Sequence, residues 1–165
     1  MQKNKAVEQS ADFQRTVASH EAGHAVVAHV LGFNLQIVSL DPDPDNPSVL
    51  AYTRFDEKEV TPETVEDIMA ALVTVQLAGL GAERAIYGKP VLFANALSDL
   101  KKVENLLSFY AEVTSDTYQQ LLGQFTSEAQ HLVDQHRGEV AALTEALLAQ
   151  RRLSGVEVQR ILAEA

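Results

Sequence analysis

Apolar and polar positions change their rhythm along this chain. From Val17 to Leu31 the apolar residues Val17, Ala25, Val26, Val27, Ala28, Val30 and Leu31 fall on nearly every side of a helix, which predicts a buried one. Asp12 stands where an N-cap belongs and Gly32 where a helix stops. Two short runs follow, Leu35–Leu40 and Val49–Phe55, whose β-branched and aromatic residues predict strands. Between them, Asp41-Pro42-Asp43-Pro44-Asp45-Asn46-Pro47 is turn chemistry. Its aspartates lack the glycine pivot and closing glutamate of a calcium loop, so a plain turn is expected. Thr61 as N-cap and Pro62 at the first helical position open a long helix to about Tyr87, ended by Gly88 and Pro90. A loop is expected over Val91–Leu97, and Ser98-Asp99 opens a helix to about Val113. One or two helices cover Asp116 to His136, with a break near Gly123, and Gly138 sets off a helix from Glu139 to Gln150. Ser154-Gly155-Val156-Glu157 is a capping box that starts a last short helix. The pattern predicts a mainly α fold with a small β-sheet and a helical C-terminal half. Residues 1–165 form one domain in this reading, with 1–11 as a flexible N-terminal segment.

Composition narrows the classes. The chain has 165 residues, 46% hydrophobic and 22% charged, as an ordinary globular domain does. A net charge of −10 argues against nucleic acid and anionic membrane surfaces as partners. With no cysteine, any metal must be held by histidine and carboxylate, and disulfides are excluded. The most apolar run, Ile68 to Ala82, carries Thr74 and Gln76 and is closed by Asp67 and Glu83. It is shorter than the roughly 20 apolar residues a bilayer span needs, so a core helix is expected. No secretory signal opens the sequence. A soluble, cytoplasmic protein without membrane insertion follows as the expectation.

The chemistry concentrates at His20-Glu21-Ala22-Gly23-His24. This is the pattern H-E-x-x-H, which on a helix sets two imidazoles one turn apart, roughly 40° around the axis. Both rings can then bind one zinc ion, and Glu21 can take the proton of a water at an open coordination position. Three fixed residues in five occur by chance in about 1 chain in 100, so the helical setting matters. Histidines and a glutamate inside a buried helix are costly unless something pairs with them, and a metal ion does so. Gly23 costs a helix interior up to ~1 kcal/mol relative to alanine, which close approach of another element would justify. His29, about 180° from His20, reads as structural or surface, and His131 and His136 as solvated side chains.

Two histidines leave a catalytic zinc one protein ligand short. Spacing alone offers Glu83, Asp99 and Glu104 and does not rank them well. Asp99 has its place in a helix's first turn in its favour, and an ordinary capping role explains that place equally. Resemblance adds to this. His20-Glu21-Ala22-Gly23-His24 with Ala25-Val26-Val27-Ala28, Leu77-Ala78-Gly79-Leu80-Gly81-Ala82-Glu83-Arg84-Ala85-Ile86-Tyr87-Gly88, and Asn95-Ala96-Leu97-Ser98-Asp99-Leu100 resemble, in order, the peptidase domain of the FtsH-type AAA+ proteases. The stretch from Gln135 to Leu162 is similar to that family's closing helices. The resemblance implies a zincin-like metallopeptidase domain with His20, His24 and Asp99 as zinc ligands and Glu21 as general base. It also implies Glu83 as the residue that orients a ligand histidine from behind.

Departures are as visible. The family's Thr-Gly-Ala is Ala94-Asn95-Ala96 here, where asparagine can keep the turn by adopting positive φ. The family's asparagine before the ligand is Ser98, and the stretch after Asp99's helix, which supplies part of the family's substrate groove, is short. Gly88-Lys89 is followed by Pro90 and no G-x-x-x-x-G-K-[ST] occurs. The expectation is a zinc endopeptidase that cuts unfolded or flexible polypeptide without an ATPase module of its own. An AAA+ ATPase acting in trans and a homo-oligomer are its expected partners. The competing reading is a catalytically idle zinc-binding adaptor or decoy that pairs with a full-length AAA+ protease.

Overall fold

A computed structural model describes residues 10–91, 94–113 and 116–165. The expected flexible segment 1–11 lies outside these residues except for its last two. Those are ordered: Ser10 caps and Ala11 begins the first helix, α1 (Ala11–Val30). The remaining elements are β1 (Leu35–Ser39), β2 (Tyr52–Phe55), α2 (Val65–Tyr87), α3 (Ala94–Val113), α4 (Tyr118–Gln135), α5 (Arg137–Gln150), β3 (Arg152–Ser154) and α6 (Gly155–Glu164). The fold is mainly helical with one three-stranded sheet.

α1 is buried continuously from Thr16 to Ala28, because it is covered by α2 on one side and by α5 and β1 on others. Its small residues make that possible. A Cβ on Gly23 would stand 2.6 Å from the Ala78 carbonyl oxygen of α2 and 2.8 Å from Ala82 Cβ, so the two helices cross almost backbone to backbone. α2 is the central helix. One apolar cluster joins Val26, Val38, Val75, Ala78, Leu143 and Leu153 across α1, the sheet, α2 and α5. A second joins Val73 and Leu77 to Val103, Leu107, Leu121 and Phe125 on α3 and α4. Among the described helices α2 is the one long and apolar enough to cross a membrane. Here its apolar residues Val73, Val75, Leu77, Ala78 and Leu80 are buried in these two clusters.

The sheet order is β2-β1-β3, antiparallel throughout. Val38 stands opposite Thr53 on one side and Leu153 on the other. β3 was not expected: three residues, Arg152 to Ser154, are too short to show alternation. The capping box at Ser154 and Glu157 is formed as the sequence indicates.

Several boundaries differ from expectation, each for a local reason. Ser10, not Asp12, accepts the Phe13 N–H as the α1 N-cap, and Asp12 falls in the first turn, where it meets the helix dipole. α2 starts at Val65 rather than Pro62, because Thr61 and Thr64 close a turn on each other first. Its end is as expected: Gly88 takes φ 72°, a left-handed cap that favours glycine. The loop placed at Val91–Leu97 is helical from Ala94 on, and positions 92 and 93 lie outside the described residues. Helix therefore stands where asparagine was expected to keep a turn. α4 runs through Gly123 unbroken, with the capping box of Thr117 and Gln120 at its start. The separation from α5 falls at His136 rather than Gly138.

Candidate metal centre

The helical spacing of α1 puts His20 and His24 one turn apart, and their rings meet edge to face with centroids 4.6 Å apart. Each ring is fixed from behind. His20 Nδ1 donates to Glu83 Oε1 at 2.7 Å, and His24 Nδ1 donates to the Val75 carbonyl at 2.7 Å. Both partners come from α2. Glu83 is itself held, because its Oε2 accepts the Val91 N–H. With both Nδ1 atoms committed as donors, neutral rings must present bare Nε2 lone pairs to each other.

Those Nε2 atoms are 2.9 Å apart, and Asp99 Oδ2 lies 3.0 Å from His20 Nε2 and 3.1 Å from His24 Nε2. Three acceptors thus converge on one point in a buried place. Such an arrangement needs a cation at its centre. Ligand atoms bound tetrahedrally to zinc at 2.0–2.1 Å stand about 3.3 Å from one another, close to the triangle observed. The donor set, two imidazole nitrogens and a carboxylate oxygen, also suits zinc. Of the described His, Cys, Asp and Glu residues, these three form the group able to hold a metal ion.

Without a metal, a proton takes the cation's part. Burial pulls the His20 pKa down, but hydrogen bonds to Asp99 and Glu83 and the nearby charges of Glu21 and Asp99 outweigh it and push it up to about 9. Burial would raise Asp99, yet the electrostatic pull of the adjacent His24 and the hydrogen bonds from both rings hold its carboxyl well below the usual range.

Glu21 is next along the helix and lines the cleft that His24 and Asp99 also face, a cleft of about 530 Å³. Its Oε2 accepts the Thr53 hydroxyl at 2.9 Å, and the same hydroxyl reaches the Glu21 backbone carbonyl at 3.2 Å. β2 carries Thr53 and borders the cleft with an edge that no other described strand pairs.

Of the candidates for a third metal-binding side chain, Asp99 joins the histidines and Glu83 stands behind His20. Glu104, further along α3, is exposed and apart from the cluster. His29 and His131 are exposed, whereas His136, expected to be solvated, is half-buried and pairs with Glu139 at 2.9 Å. Asp43 and Asp45 of the turn accept from Arg54. Sequence reasoning missed Thr53, Lys102 and Gly79. Lys102 was within reach, since position i+3 from an aspartate on a helix is a pairing position. Gly79 abuts the His20 ring, and a second interior glycine in α2 was its signal. Thr53 gave none, because its place depends on strand pairing.

No family model matches the chain. It is similar to the ATP-dependent zinc metalloprotease FtsH of Trieres chinensis, 30% identical over 95 residues, which is 56% of this chain and 14% of that protein. It is also similar to ATP-dependent zinc metalloprotease FTSH 8, mitochondrial, of Oryza sativa subsp. japonica, at 24% over 183 residues. FTSH 3, mitochondrial, of Arabidopsis thaliana stands at 26% over the same length. The last two matches cover 92% of this chain and 22% of each relative, so the chain spans about a fifth of their length. It contains a region distantly related to the FtsH zinc metalloproteases.

Proposed function

We propose that this chain is a zinc-dependent endopeptidase with a zincin-like fold, acting on unfolded or flexible polypeptide. In this reading His20, His24 and Asp99 hold the ion, Glu21 is the general base and Glu83 orients His20. The observation that carries it is the convergence of two outward Nε2 atoms and one carboxylate oxygen within 3.1 Å, beside a glutamate in an open cleft.

Zinc held there supplies Lewis acidity, which acidifies water and polarises a carbonyl. The protein's own groups do the rest. Glu21 takes the proton of the attacking water and returns it to the leaving amine, with its carboxylate steadied by the Thr53 hydroxyl. Glu83 and the Val75 carbonyl keep both imidazoles in the tautomer that binds metal. The edge of β2 that no described strand pairs accepts an extended polypeptide as an added strand, laying a peptide bond across the site. Folded substrates then need an unfolding partner, for which an AAA+ ATPase acting in trans is the proposed candidate.

Glu21→Gln tests the assignment. The variant should bind zinc as the wild type does and lose at least about 100-fold in hydrolysis of an unfolded protein, because an amide cannot accept the proton. Equal cleavage by both forms removes Glu21 as base. Zinc binding with no turnover by the wild type on any unfolded chain supports a binding role instead.

A further inference from the structure

Asp99 is gripped from two sides. Its Oδ2 faces both imidazoles, while its Oδ1 accepts from the Lys102 ammonium at 2.8 Å. Lys102 lies three residues further along α3, lines the cleft, and reaches Gln76 Oε1 on α2 at 3.4 Å. An i,i+3 ion pair between solvated side chains contributes little. This pair is different in kind, because the Asp99 side chain is 9% exposed and that of Lys102 55%. A half-exposed ammonium therefore covers the oxygen of a nearly buried carboxylate that is turned away from the imidazoles.

Charge balance points the same way. Glu21, Glu83 and Asp99 bring three buried carboxylates to one place. A divalent ion offsets two of those charges, and a third needs its own partner. Among the described residues lining the cleft the other cation is Arg54, which is engaged by Asp43 and Asp45. Among the described residues lining the cleft, Lys102 is the lysine or arginine within hydrogen-bonding distance of Asp99.

A carboxylate can give a metal one oxygen or two. We infer that Lys102 is a positioning residue that occupies Asp99 Oδ1, keeps Asp99 a one-oxygen ligand, and so reserves a coordination position for water and substrate. The inference rests on the metal centre proposed above.

Cobalt(II) added to the metal-free protein tests it, since the intensity of its visible bands reports coordination number. The wild type should show the strong bands of a four-coordinate ion. Lys102→Met should give bands several-fold weaker, as Asp99 closes on the ion with both oxygens. Lys102→Arg, which can still occupy Oδ1, should restore the wild-type spectrum. Lys102→Leu, which likewise offers no donor to Oδ1, repeats the comparison should the methionine variant fail to fold. A wild-type spectrum in Lys102→Met or, where that is unfolded, in Lys102→Leu overturns the role of Lys102 and leaves the centre standing. A wild type that binds no cobalt overturns the centre and this inference together.

Discussion

Gly79 sits on α2 against the face of the His20 ring. A Cβ there would stand 2.5 Å from both Cε1 and Nε2 of a side chain that has no solvent exposure. The ring cannot retreat, because Glu83 and Asp99 hold its two nitrogens. Gly79→Ala should therefore destabilise the fold by about 1–3 kcal/mol through overpacking and reduce zinc uptake as the ring turns. Urea unfolding beside metal analysis checks both, and an unperturbed variant with full zinc content contradicts the geometry. At this scale the sequence was legible where spacing is local. The pairing of His20 with His24 follows from helical periodicity alone. The choice of Asp99 over Glu104 did not, because it depends on how α3 packs on α2, and no local pattern encodes that crossing.

Elements were legible where their end signals are chemical. Gly88 and the box at Ser154 and Glu157 mark boundaries that the structure reproduces. Starts were less legible, because several residues in a row can cap a helix and only one does. At α1 the sequence pattern pointed to Asp12, and Ser10, two positions earlier, makes the bond. Ser10→Ala should thus cost about 1 kcal/mol. Asp12→Ala should cost less, a few tenths from the dipole alone. Denaturant midpoints of the two variants decide between them, and the reverse order would restore Asp12 as the cap. α3 began four residues before its expected start for a related reason. Ala94 to Leu97 hold no strong breaker, so helix propensity continues back from Ser98.

For the whole molecule, the site ties three helices together: α1 gives the imidazoles, α2 their supports and α3 the aspartate. Protons and metal each stabilise the folded state and compete for the same atoms, so their contributions depend on pH in opposite directions. In the metal-free protein the folded His20 pKa of about 9 is above its ordinary 6.5. That contribution is complete below pH 6.5 and disappears as pH rises through about 9. Asp99, whose folded pKa is depressed, adds stability present above its ordinary value of 3.8 and lost in acid. Zinc needs neutral imidazoles, so its binding strengthens as pH rises. The expected outcome is a metal-free melting temperature that declines between pH 6.5 and 9, and a zinc-induced gain that widens over the same interval. Thermal melts with zinc and with a chelator measure it. A metal-free protein with a flat profile across that interval rules out the charged cluster.

β1 is flanked by partners from distant parts of the sequence, β2 shortly after it and β3 more than a hundred positions later. The fit on the far side is tight: a Cβ on Gly155 would fall 1.7 Å from the Leu35 carbonyl oxygen. Alignment of the strand that carries Thr53 is thus inherited, through β1, from residues 152–155. A disturbance there, remote from any charged side chain of the centre, would travel across the sheet and arrive as a misplaced hydroxyl beside Glu21.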